Sequence, residues 1–268
     1  MVDGTLLRRA LHARTLLRAI RHPVSAYHRL KGEDWRVVYH PHAVWVVERP
    51  DLHSRFILGH ITANLPLPWT DASLTLKLYD ADGRCVHQER RTVLKDHTLI
   101  LETRDLLKAA GINRAFHGML YVESIQRILG AMRPYVHYYN EQCLASTHEF
   151  HKFQHFPRSP RADGYITVTE VMSSPGYETY PLLVNENDRR YDSPLHLHNE
   201  RGEFLSREIS IPSKGTLFQG IDTLFPEARD FLGGKSGWLR LDNVLDNALM
   251  GYYVGHNKER NTWMVQHL

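Results

Sequence analysis

Cysteine is nearly absent from this chain: 268 residues carry two, Cys85 and Cys143. Neither belongs to a CxxC pair, so a disulfide framework and a cysteine zinc site are both excluded. In strand-rich sequence the two thiols are expected as small buried hydrophobes, in a reducing, intracellular setting. Long apolar runs are missing too, and nothing approaches the ~18 residues of a membrane span. A net charge of +3 is too small to argue for nucleic acid. No GxGxxG, P-loop or GxSxG string occurs, and neither cysteine is followed by a local catalytic signature. Acidic pairs are too scattered to nominate a general acid and base.

What is present is a pattern written twice. Residues 74–86 superpose on 193–205 with Gly83 on Gly202, an offset of 119. Downstream, Thr98 and Leu99 fall on Thr216 and Leu217, and residues 117–121 fall on 236–240. Pro134, Tyr135 and Val136 then fall on Gly251, Tyr252 and Tyr253, and His148 on His267. The unit is far longer than the ~20–50-residue repeats of solenoids, so it reads as a domain. The chain length fits two such domains plus additions.

Within each copy the hydrophobic period is two. Residues 44–48, 55–59 and 74–79 alternate as strands, and Asp80, Asp82 and Gly83 supply the turn of a hairpin that returns through 85–87. Strands are expected again at 98–101, 118–123 and 135–139, then at 165–171, 195–198, 237–241 and 252–254. Residues 104–111 and their counterpart 222–232 read as short helical excursions. The expected fold is all-β: two tandem homologous β-sandwich domains, Ig-like or jelly-roll-like, after an N-terminal amphipathic helix. The domains are placed at 1–34 (helix and lead-in), 35–160 and 161–268, joined by a Pro/Gly/Arg-rich linker over 156–164.

The helix is expected at 5–22, where Leu6, Leu7, Ala10, Leu11, Leu17 and Ile20 recur at helical spacing and Pro23 stops it. Its other face is cationic, with Arg8, Arg9, Arg14, Arg18 and Arg21. Arginines interrupt any secretory core, and the segment is expected to be retained. It either packs its apolar stripe on the sandwich or docks an acidic partner or an anionic membrane surface.

Three groups of residues carry candidate chemistry. On a strand, Arg133, Tyr135, His137 and Tyr139 share one face, a polar-aromatic set suited to a planar, anionic or sugar ligand, or to an interface. Trp69, in a proline-flanked loop, could stack on a sugar or pack at an interface. His148, His151 and His155 line one face if their segment is helical, with His137 a hairpin away. That spacing suits a transition metal such as Zn, Fe or Cu. If the segment is a strand, His148 points away from the other two. His196 and His198 also share a strand face. The string from His196 to Glu203 resembles part of the first metal motif of the cupin barrels over eight residues, which implies metal binding. The glycine that follows in that motif is missing, and alignment with the 80–83 hairpin accounts for the same residues.

Duplicated sandwiches carry function on loops and sheet faces rather than in the fold. The expectation is a cytoplasmic, non-catalytic binding or assembly protein without a cofactor, with a protein partner and a peripheral membrane contact through 5–22. The alternatives are a metal-dependent enzyme built on the histidines and a carbohydrate-binding pair.

Overall fold

A computed structural model describes residues 42–59, 71–94, 97–124, 134–148, 166–241 and 249–267. The first half contains β1 (His42–Arg49), β2 (Leu52–Gly59), β3 (Ala72–Asp80), β4 (Cys85–Val93), β5 (Thr98–Glu102), α1 (Thr103–Ala109), β6 (Phe116–Ser124), β7 (Pro134–Tyr139) and β8 (Leu144–His148). The second contains β9 (Ile166–Val171), β10 (Tyr177–Asn185), β11 (Tyr191–His198), β12 (Phe204–Ile211), β13 (Thr216–Phe218), α2 (Ile221–Leu224), α3 (Ala228–Leu232), β14 (Gly237–Leu241), β15 (Leu249–Asn257) and β16 (Thr262–His267). The described protein is mostly β, and its strand pairs are antiparallel. The expected helix at 5–22 and the expected linker at 156–164 lie outside the described residues.

In the first half the strands run β4-β3-β6-β1 and, past a short β1–β2 corner, β2-β7-β8, with β5 on the free side of β2. In the second half they run β12-β11-β14-β9 and β13-β10-β15-β16. Apart from the β1–β2 corner, raising every strand number of the first half by eight gives the neighbours of the second. The registers agree as well. Leu78 faces Leu120 and Leu197 faces Leu239. Gly59 faces Thr98 and Val184 faces Thr216. Tyr135 faces His148 and Tyr252 faces His267.

Local hydrogen bonds recur with the registers. The Ser54 hydroxyl accepts the Val47 N–H at 2.8 Å, and the Thr179 hydroxyl accepts the Met172 N–H at 2.9 Å, both across seven residues. Each β3–β4-type hairpin is closed by an Asx side chain. Asp80 Oδ1 accepts the Arg84 N–H at 2.9 Å, and Asn199 Oδ1 accepts the Glu203 N–H at 3.1 Å. The turn needs a residue at positive φ, supplied by Gly83 at +77° and Gly202 at +81°.

Strand sequences explain which faces are buried. In β3, Leu74, Leu76 and Leu78 point inward while Thr75, Lys77 and Tyr79 point outward, the period-two pattern of a half-buried strand. Strand β1 departs from this pattern, with Ala43, Val44, Trp45, Val46 and Val47 all buried. β10 and β15 depart from it in the same way. The cause is the seam between the halves. The sheet β13-β10-β15-β16 turns Leu183, Leu249 and Tyr253 toward its own sandwich-like core, and Leu182, Met250, Tyr252, Val254, Trp263 and Val265 toward the core of the first half.

At the seam, Phe218 packs against Trp45 with ring centres 4.7 Å apart. The Trp263 backbone N–H donates to Cys143 Sγ at 3.1 Å, Asn140 Nδ2 donates to the Asn261 carbonyl at 2.8 Å, and the Thr216 backbone N–H donates to the Ala81 carbonyl at 3.0 Å. His117 and His256 also sit here, against Thr216 and on the face of Trp263 respectively. Burial, helped by the Arg49 guanidinium, pushes His117 below the usual histidine range, and burial does the same for His256. Both imidazoles are thereby favoured in the neutral form.

The cysteines correct one expectation. Cys85 is exposed, because it opens β4, the edge strand of its sheet, just past the hairpin. Cys143 is partly buried and packs against the core, and its sulfur also accepts a hydrogen bond at the seam.

Candidate functional site

The outer face of the β5-β2-β7-β8 sheet gathers a set of polar and aromatic side chains. Alternation in β7 sends Val136 and Tyr138 inward and leaves Tyr135, His137 and Tyr139 outside. Register then places β2 and β5 residues beside them: Arg55 faces both His137 and Glu102, and Ile57 faces both Tyr135 and Ile100. On the other side of β7, Tyr139 faces Leu144 and Tyr135 faces His148.

Tyr139 is the hub. Its hydroxyl donates to Glu102 Oε2 at 2.5 Å and accepts from Arg104 Nη2 at 2.6 Å. Arg55 pairs with Glu102 at 3.0 Å, and its guanidinium lies 4.7 Å above the Tyr139 ring. Arg104 is aimed by the start of α1. The buried Thr103 hydroxyl bonds the Ser54 hydroxyl at 2.7 Å, which pins the first helical residue to β2 and leaves Arg104 over the sheet. The Arg55 and Arg104 guanidiniums are thereby held in fixed directions over the sheet. Burial, with Arg55 nearby, lowers the His137 pKa, which favours its neutral form. His53 closes the row, bonded to Glu48 at 2.8 Å with its ring 5.6 Å from that of Tyr139.

An open cleft of about 610 Å³ adjoins this row. It shares His53 and Arg104 with the face and adds Lys108, Arg114, Glu48 and Asp105. Leu107, Ile112 and Pro50 complete a lining that mixes charged and apolar side chains.

The expected sites divide as follows. Tyr135, His137 and Tyr139 share the outer face, while Arg133 and Trp69 lie outside the described residues. His148 belongs to strand β8, so the helical face expected for His148, His151 and His155 does not form from it. A strand reverses its side chains at each step. His151, His155 and the helix arginines Arg8, Arg9, Arg14, Arg18 and Arg21 lie outside the described residues. Among the described residues no three His, Cys, Asp or Glu side chains group to hold a metal. No helix among them is long and apolar enough to cross a membrane. His196 and His198 share the outer face of β11, where His198 stacks on Trp238 at 3.9 Å. Glu203 is engaged by Asn199 Nδ2 at 2.7 Å within the hairpin. Sequence reasoning missed Arg55, Glu102 and Arg104. Their meeting depends on β2 pairing with β5, some 45 residues along the chain, for which no local signal exists.

No family model matches the chain, and no curated protein matches it. Among solved structures it is similar to a β-glucuronidase of glycoside hydrolase family 2, at 10% identity and a TM-score of 0.15. The overlay covers 87% of this chain and 24% of that one, so the chain spans about a quarter of that structure's length. A likeness at that score carries no argument about function.

Proposed function

We propose that this chain is a non-catalytic binding or assembly protein, formed by duplication of one β-sandwich unit. Its working surface is the outer face of the β5-β2-β7-β8 sheet. The observation that carries the reading is an asymmetry between corresponding faces. In the second half, Leu182, Phe218, Tyr252 and Trp263 are buried against the first half. In the first half the corresponding face is open, with Ile100, Tyr135 and Leu144 exposed at 57%, 42% and 65%. Exposed aliphatic and aromatic side chains beside ordered arginines are the composition of an interface core. The cationic helix expected at 5–22 supplies a second contact, to an acidic partner or an anionic membrane surface.

Purification of the native protein from its own cells tests this. A partner, another copy of the chain included, is expected to stay with the wild type. Recovery should fall by roughly tenfold or more with the pair Ile100→Asp and Leu144→Asp, the loss typical of a hot spot made polar. Equal recovery with the variant contradicts the reading. So does stoichiometric zinc, iron or copper that disappears in His137→Ala with His148→Ala, a result that favours a metal-dependent enzyme.

A further inference from the structure

We infer that the occupant of the open face is a second copy of this chain, docked head to tail in the manner of the internal seam. The inference rests on reading the two halves as copies of one unit. One half of the contact is fixed by register. Ile57 faces Ile100 and Tyr135, just as Leu182 faces Phe218 and Tyr252. Tyr139 faces Leu144, just as His256 faces Trp263. Ile57, Ile100, Tyr135 and Leu144 therefore hold the positions of Leu182, Phe218, Tyr252 and Trp263, four of the side chains that bury themselves at the seam, while His137 and Ser146 stand where the seam has Val254 and Val265.

The other half of the contact is the surface that receives them. In the first half it includes β1, whose Trp45 meets Phe218, and β8, which lies against β16 with Cys143 bonded to Trp263 and Ala145 packed on the shared core. Two of the matching positions in the second half hold methionine, while Trp45 falls at Thr169 and Glu170 and Cys143 at Thr262. Met172 takes the place of Val47, as the shared N–H to hydroxyl bond shows. Met264 faces Gly255 as Ala145 faces Tyr138, and so takes the place of Ala145. Met172 and Met264 are exposed at 37% and 46%.

Seven large hydrophobic side chains are exposed among the described residues: Leu94, Ile100, Tyr135, Leu144, Met172, Phe204 and Met264. Five of the seven fall on these two surfaces, three on the docking face and two on the receiving one. A contact between two different surfaces is heterologous, so each added copy leaves one of each surface free, and the assembly grows into a ring or an open filament. Methionine is suited to a receiving surface, because its unbranched chain adapts to the shape pressed on it.

The test is sedimentation velocity on the purified full chain over a wide concentration range. The wild type is expected to form species larger than a dimer as concentration rises. Ile100→Asp with Leu144→Asp should sediment as a monomer, and so should Met172→Asp with Met264→Asp. Every substituted residue is at the surface, and far-ultraviolet circular dichroism with thermal melting confirms that each variant is folded. Mixed in equal amounts, the two variants should form a one-to-one dimer that grows no further, since each retains the surface the other has lost. A mixture that stays monomeric overturns the inference. A wild type that is monomeric at every concentration also overturns it. So does a wild-type monomer that begins to associate once residues 1–34 are deleted, which would mean that the chain's own N-terminal segment covers the face. If the purified chain is monomeric but the native protein retains a different partner through Ile100 and Leu144, self-docking is overturned and the binding reading stands.

Discussion

Trp45→Ala is expected to destabilise the whole chain by about 3–5 kcal/mol, the range for removing a fully buried aromatic side chain. In a chain of this size that is a fall in Tm of about 10 °C, read by differential scanning calorimetry. Trp45 is fully buried, with Tyr138 at 5.1 Å on one side and Phe218 at 4.7 Å on the other. Its removal opens a cavity in the core of the first half and withdraws the surface on which the second half rests. Its Nε1 has no hydrogen-bond partner among the described residues. Trp45→Phe keeps an aromatic ring in the site and removes that unsatisfied donor, so it should cost clearly less than Trp45→Ala. Phe204→Ala, at a side chain 56% exposed, should stay within about 1 kcal/mol. Equal losses for Trp45→Ala and Phe204→Ala would contradict the seam.

The second large effect is a contrast between two glycines that do the same work in the two halves. Gly83 and Gly202 hold corresponding turn positions at nearly the same positive φ. Alanine at either site pays the left-handed penalty of about 1–2 kcal/mol. At Gly202 a new Cβ meets open space, whereas at Gly83 it runs into the backbone carbonyl of Ser213. Gly83→Ala must therefore also push the 80–84 hairpin off the second half, straining the bond from the Thr216 N–H to the Ala81 carbonyl. A further loss of about 1–3 kcal/mol is expected, the usual cost of overpacking. Chemical denaturation of the two variants side by side measures the difference. A Gly202→Ala loss as large as that of Gly83→Ala would mean that the hairpin does not sit where it is described.

The β character was legible because Leu74, Leu76 and Leu78 alternate with Thr75, Lys77 and Tyr79, and only a half-buried strand accounts for that period. The hairpin turns were legible because an Asx residue followed by glycine at positive φ leaves few other conformations. The outer face of β7 followed from the same alternation. The cluster around Tyr139 was half hidden. Arg55 lies on a strand that reads clearly, but nothing local reveals that Glu102 pairs with it across β2 and β5. The seam was hidden for a different reason. Continuous burial along β1, β10 and β15 looks in sequence like any apolar strand, and what covers the second face is known only once the halves are packed. His148 stayed ambiguous in sequence, because spacings of three and four suit a helix while its place in strand β8 depends on pairing with β7.

The face built by Ile57, Ile100, Tyr135, Tyr139 and Leu144 is expected to be covered when the protein works. Hydroxyl-radical footprinting tests it most directly, with the native protein in cell extract compared against the purified chain diluted until it is monomeric. Ile100, Tyr135 and Leu144 should be severalfold less reactive in the extract, while Phe204, outside the face, reacts alike in both samples. Equal reactivity of Ile100, Tyr135 and Leu144 in the two samples would mean that nothing covers the face.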